Sequence, residues 1–129
     1  MADLGTIEQF GWGNDSIVIR RYIAGLQGGR VLDVSDFTLE FIRAGHVILH
    51  DTTNGGYKPM PVNDDKDGYA DLPDGCEYAG VAAATKSVKD PFVSIMYAGE
   101  VNDEAVPFSI DDIKDALKEA LPTLSFQHD

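Results

Sequence analysis

A small α+β domain, mainly β, is the fold this chain predicts, and three features carry that expectation. Short β-branched runs recur, among them His46-Val47-Ile48-Leu49-His50 and Phe92-Val93-Ser94-Ile95-Met96-Tyr97-Ala98. Asn54-Gly55-Gly56 supplies the positive-φ residues of a hairpin turn. A single helix signature lies near the C-terminus, from Ser109 to Leu121. At 129 residues the chain is long enough for one modest core and too short for two. Its mixed or antiparallel strands are therefore expected in one β-rich domain over residues 25–129, preceded by a flexible N-terminal arm over residues 1–24.

The arm is set apart by its composition. Glycine and polar residues surround isolated aromatics in Phe10-Gly11-Trp12-Gly13-Asn14-Asp15. Ser16-Ile17-Val18-Ile19-Arg20-Arg21-Tyr22-Ile23 is β-branched, and Ile17, Ile19 and Ile23 share a face at the two-residue period of a strand. Two readings stay open for it: the first strand of the core, or a sticky arm that pairs with an edge strand of another protein. Gly25-Leu26-Gln27-Gly28-Gly29 follows as a flexible break.

Arg30-Val31-Leu32-Asp33-Val34 opens the body as a short strand, Asp36 to Ile42 is a helical turn or an extended link, and Arg43-Ala44-Gly45 turns into the His46–His50 strand. Tyr57-Lys58-Pro59-Met60-Pro61-Val62 returns after the hairpin, and its two prolines confine it to an edge. An acidic loop spans Asn63 to Gly75. Glu77-Tyr78-Ala79-Gly80-Val81-Ala82-Ala83-Ala84 is the next strand, its small residues suited to close packing, and Lys86 to Pro91 turns the chain into Phe92–Ala98. In the helix, Ser109 and Asp112 form a capping-box pattern, Asp111 complements the dipole, and Ile110, Ile113, Leu117 and Ala120-Leu121 fall on one face. Pro122 stops it, and Leu124-Ser125-Phe126 is a closing strand.

Composition narrows the function. Apolar residues at 43% suit a folded chain rather than a disordered one. A net charge of -12, from 10 basic and 22 acidic residues, argues against direct nucleic-acid binding, which depends on Lys and Arg displacing phosphate counterions. No apolar run approaches the roughly 20 residues of a membrane span. Met1-Ala2-Asp3-Leu4-Gly5 lacks the basic start and apolar middle of a signal peptide, so the product is expected in the cytoplasm where it is made. A single cysteine, Cys76, excludes an internal disulfide and reads as a packing residue.

Candidate chemistry is sparse. Asn63, Asp65, Asp67, Asp71 and Asp74, with Gly68 sixth, follow calcium-loop spacing. Asn63 stands where Asp is usual, Asp74 replaces the long bidentate Glu, and Pro61 and Pro73 deny the loop its flanking helices, which favours a solvated acidic turn. His46 and His50 would share a face of a strand roughly 13 Å apart at ~3.3 Å per residue, too far for one metal. Asp33, Asp36 and Glu40, and Glu100 with Asp103, are the close carboxylates available for acid–base work, as chance alone supplies in so acidic a chain. No Gly-rich phosphate loop is present, and no cofactor is expected. An acidic calcium-binding module or a hydrolase domain using that loop is the alternative function.

From about Arg30 to Phe126 the chain resembles the lambda-type head decoration proteins of tailed bacteriophages. Arg30-Val31-Leu32-Asp33-Val34-Ser35 is similar to their opening strand. Arg43-Ala44-Gly45-His46-Val47-Ile48 is similar to a "PAGTVI" element with Arg43 at the common proline, and Gly56-Tyr57-Lys58-Pro59 to a "GKYVP" return strand. Tyr78-Ala79-Gly80-Val81 resembles "AAGIL", and Gly99 to Phe108 resembles "GEVNEAALPF", read here as a turn that leads into the helix and the closing strand. The order and spacing of these segments carry the likeness.

The resemblance implies a structural viral protein without catalytic residues. It would bind the major capsid protein on the outside of the expanded head at quasi-three-fold positions, as a homotrimer, and hold capsomers together against packaged DNA. The implied location is the virion surface. Capsid contact would fall to the N-terminal arm, with Phe10, Trp12, Ile17, Ile19 and Tyr22 as anchors. Multivalent attachment over a closed shell turns modest single contacts into strong retention.

Overall fold

The computed structural model describes residues 15–26 and 28–127. Its elements are α1 (Asp15–Val18), β1 (Ile19–Gly25), β2 (Arg30–Val31), β3 (Phe41–Ile42), β4 (Val47–Asp51), β5 (Tyr57–Pro59), β6 (Cys76–Ala82), β7 (Lys86–Ser87), β8 (Phe92–Val93), β9 (Ile95–Val101), α2 (Lys114–Ala120) and β10 (Leu124–Phe126). The fold is mainly β with antiparallel pairing and a C-terminal helix, as the sequence predicts. No helix among the described residues is long and apolar enough to cross a membrane.

The main sheet runs β1-β9-β6-β4-β5, with β10 also paired to β9. β9 is its axis. β1 lies antiparallel along one side of it, while β6 pairs with its first residues and β10 runs parallel to Gly99, Glu100 and Val101 on the other. β2 with β8, and β3 with β7, form two separate two-stranded sheets.

Both faces of the main sheet are covered, and this explains the unbroken apolar run of β4. Val47 and Leu49 point into a core with Met60, Val81, Met96, Ile110, Leu117 and Phe126; Ile48 points into a second core with Leu32, Ile42, Ala82, Val93 and Ile95. Neighbouring residues of a strand face opposite sides, so a sheet buried on both sides has no place for polar alternation. The helix, its C-cap and the segment before it supply Leu117, Leu121 and Ile110 to the first face, and the two small sheets supply Val93 and Ile42 to the second.

Of the two readings open for residues 16–23, the structure takes the core strand from Ile19 onward. Residues 19–24, expected in a flexible arm, pair with β9, so no break in the sheet falls at residue 24. Ile17, Ile19 and Ile23 do not share a face. Ile17 sits in the helical turn α1, and β1 advances two residues against one on β9 at Ile19/Arg21 and again at Tyr22/Ala24. Each of these bulges adds one residue to β1, Arg20 and Ile23, and resets the side-chain alternation.

Three other boundaries move for identifiable reasons. Gly99-Glu100-Val101 is strand rather than turn, because both β1 and β10 bond to it; the turn begins at Asn102, whose Oδ1 accepts the Glu104 N–H at 3.0 Å. Phe92–Ala98 is split at Ser94, where the chain passes from the β2/β8 sheet to the main one. The helix starts at Lys114, five residues after Ser109. The Ser109 hydroxyl accepts from the Asp111 N–H two residues on, at 3.3 Å, a local turn that competes with a helix cap. Ile110, Leu117 and Leu121 are buried as expected of the apolar face, but Ala120 is exposed.

Candidate functional site

The expected anchors separate. Phe10 and Trp12 lie outside the described residues. Ile19 is half-buried and packs against the first core. Ile17 and Tyr22 are exposed. Tyr22 is 50% exposed and its bulged neighbour Ile23 58%. Both lie on β1, which has β9 on one side and no strand on the other among the described residues.

Tyr22 also borders a cleft of about 580 Å³ beside that edge, lined by Ala24, Gly25, Leu26, Gly28, Gly29, Lys86, Phe92 and Ser94. Gly25 and Gly29, from the stretch read in the sequence as a flexible break, let aromatic rings lie against backbone. A Cβ on Gly29 would come 2.7 Å from the Phe92 ring, and one on Gly25 would meet the Tyr22 hydroxyl. Gly28 and Gly29 have φ of 79° and 70°, which glycine adopts without the steric cost other residues incur. Phe92 is 48% exposed and pairs across β2/β8 with Val31, which is also exposed. Sequence reasoning missed Ile23, Val31 and Phe92 as surface residues. Each reads as an ordinary strand residue, and only a bulge or a two-residue strand turns it outward.

Charges around this face are engaged. Arg20 Nη1 donates to the Gln127 carbonyl at 3.4 Å, and Arg21 pairs with Glu100 at 3.9 Å. Asp103 holds Lys114 at 2.8 Å, and that hydrogen bond raises the Lys114 pKa. Glu100 and Asp103 thus serve different cations rather than facing one another. Asp33 accepts both the N–H and the hydroxyl of Ser35, at 3.0 and 2.7 Å, and these bonds pull its carboxyl below the usual range.

The acidic loop closes on itself. The Asn63 Nδ2 donates to Asp67 Oδ1 at 2.8 Å, the Asp67 N–H returns a bond to Asn63 Oδ1 at 3.1 Å, and the Asn63 N–H reaches the Gly68 carbonyl. Lys66 takes a positive φ of 60° within this turn. An amide N–H2 aimed at Asp67 occupies an oxygen that a cation would require. Among the described residues no group of three or more His, Cys, Asp or Glu is placed to hold a metal ion, so Asp65, Asp67, Asp71 and Asp74 do not converge. Millimolar calcium is accordingly expected to leave the melting temperature unchanged; a rise that chelator reverses would overturn this and revive the calcium reading.

The histidines are separate as well. His50 Nδ1 meets Glu77 at 3.2 Å near the surface. His46 is buried, and its Nε2 donates to the Met60 carbonyl at 2.9 Å. Three rings, Phe37, Tyr69 and Phe108, stand edge-on to its imidazole with centroids 5.1–5.8 Å away. Burial pushes its pKa down to about 4, against the smaller upward pull of the Met60 bond. Cys76 is half-buried and packs against the first core.

No family model, curated protein or solved structure matches this chain.

Proposed function

We propose that this protein is a head decoration protein of a tailed bacteriophage. In this reading it binds the major capsid protein on the outside of the expanded shell, at quasi-three-fold positions and as a homotrimer, and braces the shell against packaged DNA. The observation that carries it is the exposed apolar face of β1, formed by Tyr22 and Ile23 and continued by Phe92 in the adjoining cleft. The ordered segments that resemble the lambda-type family supply the choice of partner.

The form of the edge constrains how it would be used. Bulges and charged residues on an edge strand discourage ladder pairing with another chain. β1 carries two bulges and two arginines, yet leaves two large apolar side chains in water. Such a strand suits side-chain burial in a partner better than strand addition. Aromatic anchors beside a cleft are the residue type that dominates interface energies. The net charge of -12 keeps free copies apart and repels DNA, both useful to a protein that accumulates before coating a particle. No catalytic residue is required, because binding only the expanded shell stabilises that state by mass action.

Cosedimentation with expanded and unexpanded heads of the parent phage tests this. Saturable binding to expanded heads alone is expected. The Tyr22→Ser, Ile23→Ser double variant should bind at least about tenfold more weakly, as for loss of an interface hot spot. Its melting temperature should stay near that of the parent chain, since surface substitutions rarely cost more than ~0.5 kcal/mol. Absence of binding to either form would sink the proposal, and full binding by the double variant would remove β1 from the contact.

A further inference from the structure

A cleft of about 550 Å³ beside His46 and Phe108 is walled partly by charged side chains, whereas the one of about 580 Å³ beside β1 is the more apolar of the two. Tyr22 and Phe92, which line the second, are each about half exposed, and Ile23 on β1 is more so. Large apolar groups left in water around a concave site mark an interaction surface. The charge of this cleft is also out of keeping with the rest of the chain. Against 22 acidic and 10 basic residues overall, its lining holds Lys86 and no carboxylate. Lys86 is exposed and has no ion pair with any described residue.

An occupant suited to this cleft brings apolar side chains together with negative charge. The chain itself carries such a segment before Asp15. At the two-residue period of an extended chain, Leu4, Glu8, Phe10 and Trp12 share one face. Residues 1–14 hold two carboxylates, Asp3 and Glu8, and no Lys or Arg. This segment joins the fold at α1, which leads directly into β1, the strand that brings Tyr22 to the cleft. From Asp15 to Tyr22 the path along α1 and β1 is about 18 Å, and the chain from Asp15 back to Phe10 spans about 17 Å when extended. Phe10 therefore reaches the near end of the cleft when the segment doubles back along β1, and Glu8 reaches beyond it.

We propose that in the free protein residues 4–12 of the same chain fold back along the open side of β1 and cover this cleft. Phe10 packs on Tyr22 and Phe92, Glu8 faces Lys86, and Trp12 lies over Ile23. Modest contacts suffice, because a short tether holds the segment at an effective concentration of order mM. Any partner that uses this face must first displace the segment. The inference concerns the free chain and stands whether or not the capsid reading holds.

Trp12 is the single tryptophan of the chain, so its fluorescence reports on this segment alone. In the full chain its emission is expected to lie to the blue of N-acetyltryptophanamide and to resist acrylamide quenching. Phe92→Ser, at an exposed position, should move the docked-to-released ratio about tenfold toward release and shift the emission to the red, as for loss of an aromatic anchor. Phe10→Ser should do the same without altering any described residue. Lys86→Glu, which sets a like charge beside Glu8, should move the ratio by about twofold to fivefold, the scale of an exposed charge pair. Leu72→Ser, at an exposed apolar position on the acidic loop, should leave the emission unchanged. Melting transitions confirm that each variant folds; should Phe92→Ser not fold, Phe10→Ser and Lys86→Glu decide alone. Emission of a fully exposed indole in the full chain, or emission indifferent to any of these three variants, would overturn the proposal. A red shift on dilution would place the segment on a second copy and overturn docking within one chain.

Discussion

Gly99→Ala is expected to lower stability by about 3–4 kcal/mol, the sum of a backbone and a packing cost. Gly99 has φ of 147°, a region that residues with a Cβ rarely occupy. It also sits in β9 where β1 and β10 flank it, opposite Tyr22 on one side and Leu124 on the other. A Cβ there would press on the Arg21 carbonyl oxygen and come 2.9 Å from the Met96 sulfur. Arg21 belongs to the paired strand, so its backbone can retreat only by breaking the sheet. The melting temperature should fall by roughly 10–15 °C at this chain length. Gly55→Ala is the comparison, because Gly55 also has a positive φ, 80°, in the milder left-handed region and with open space around it. It should cost about 1 kcal/mol. Urea unfolding of the two variants, at unchanged slope, measures the difference. Equal costs would mean that β1 does not lie against β9 as described.

Acidification should produce the other large effect, through His46. In the unfolded chain its imidazole takes up a proton near its ordinary pKa of 6.5, whereas in the fold burial holds the pKa at about 4. Below pH 6.5 the unfolded state therefore binds a proton that the native state refuses, and stability falls as pH drops. The loss accumulates down to about pH 4 and reaches about 3 kcal/mol, at ~1.4 kcal/mol per unit. Above pH 6.5 this residue contributes no pH dependence. The groups that face the ring, Phe37, Tyr69 and Phe108, carry no charge to ease protonation, and burial raises the Tyr69 pKa further from the neutral range. Asp33 works in the same direction, but its lowered pKa places its contribution mostly below that window. His46→Gln keeps a donor for the Met60 carbonyl and cannot take the proton. Urea midpoints between pH 4 and 7 should slope less for that variant by about one proton. Identical slopes would place the titration elsewhere.

The elements legible from sequence are those whose cause lies within a few neighbouring residues. Val47-Ile48-Leu49 reads as a strand because β-branched and apolar side chains suit a buried sheet, and it is β4. Gly55 turns the hairpin with a positive φ, and Pro59 and Pro61 hold their segment at the sheet edge, where β5 lies. Pro122 ends the helix, and Leu124–Phe126 forms a strand after it. The apolar spacing likewise marked Ile110, Leu117 and Leu121 as buried, although Leu117 alone of the three lies within the helix.

Long-range pairing decided the rest. Arg30–Val31 and Phe92–Val93 lie in runs that read as strands, but that they pair with each other in a small sheet apart from the main one follows only from their meeting across the chain. Glycine at position 99 signals a turn locally, yet two partner strands offer its backbone better hydrogen bonds than a turn would. The bulges at Arg20 and Ile23 depend on β9 and have no sequence signature of their own, so the outward side chain of Ile23 was invisible. His46 reads as one of a spaced histidine pair; its burial among three rings and its place on a cleft follow from loops that converge from residues 37, 69 and 108. By itself, then, the sequence determined the fold class, the acidic surface and the positions of its local punctuation, since propensity and charge act over a few residues. Which side chains remain in water, and which clefts they line, was decided by the tertiary structure, because exposure is a property of what the rest of the chain leaves uncovered.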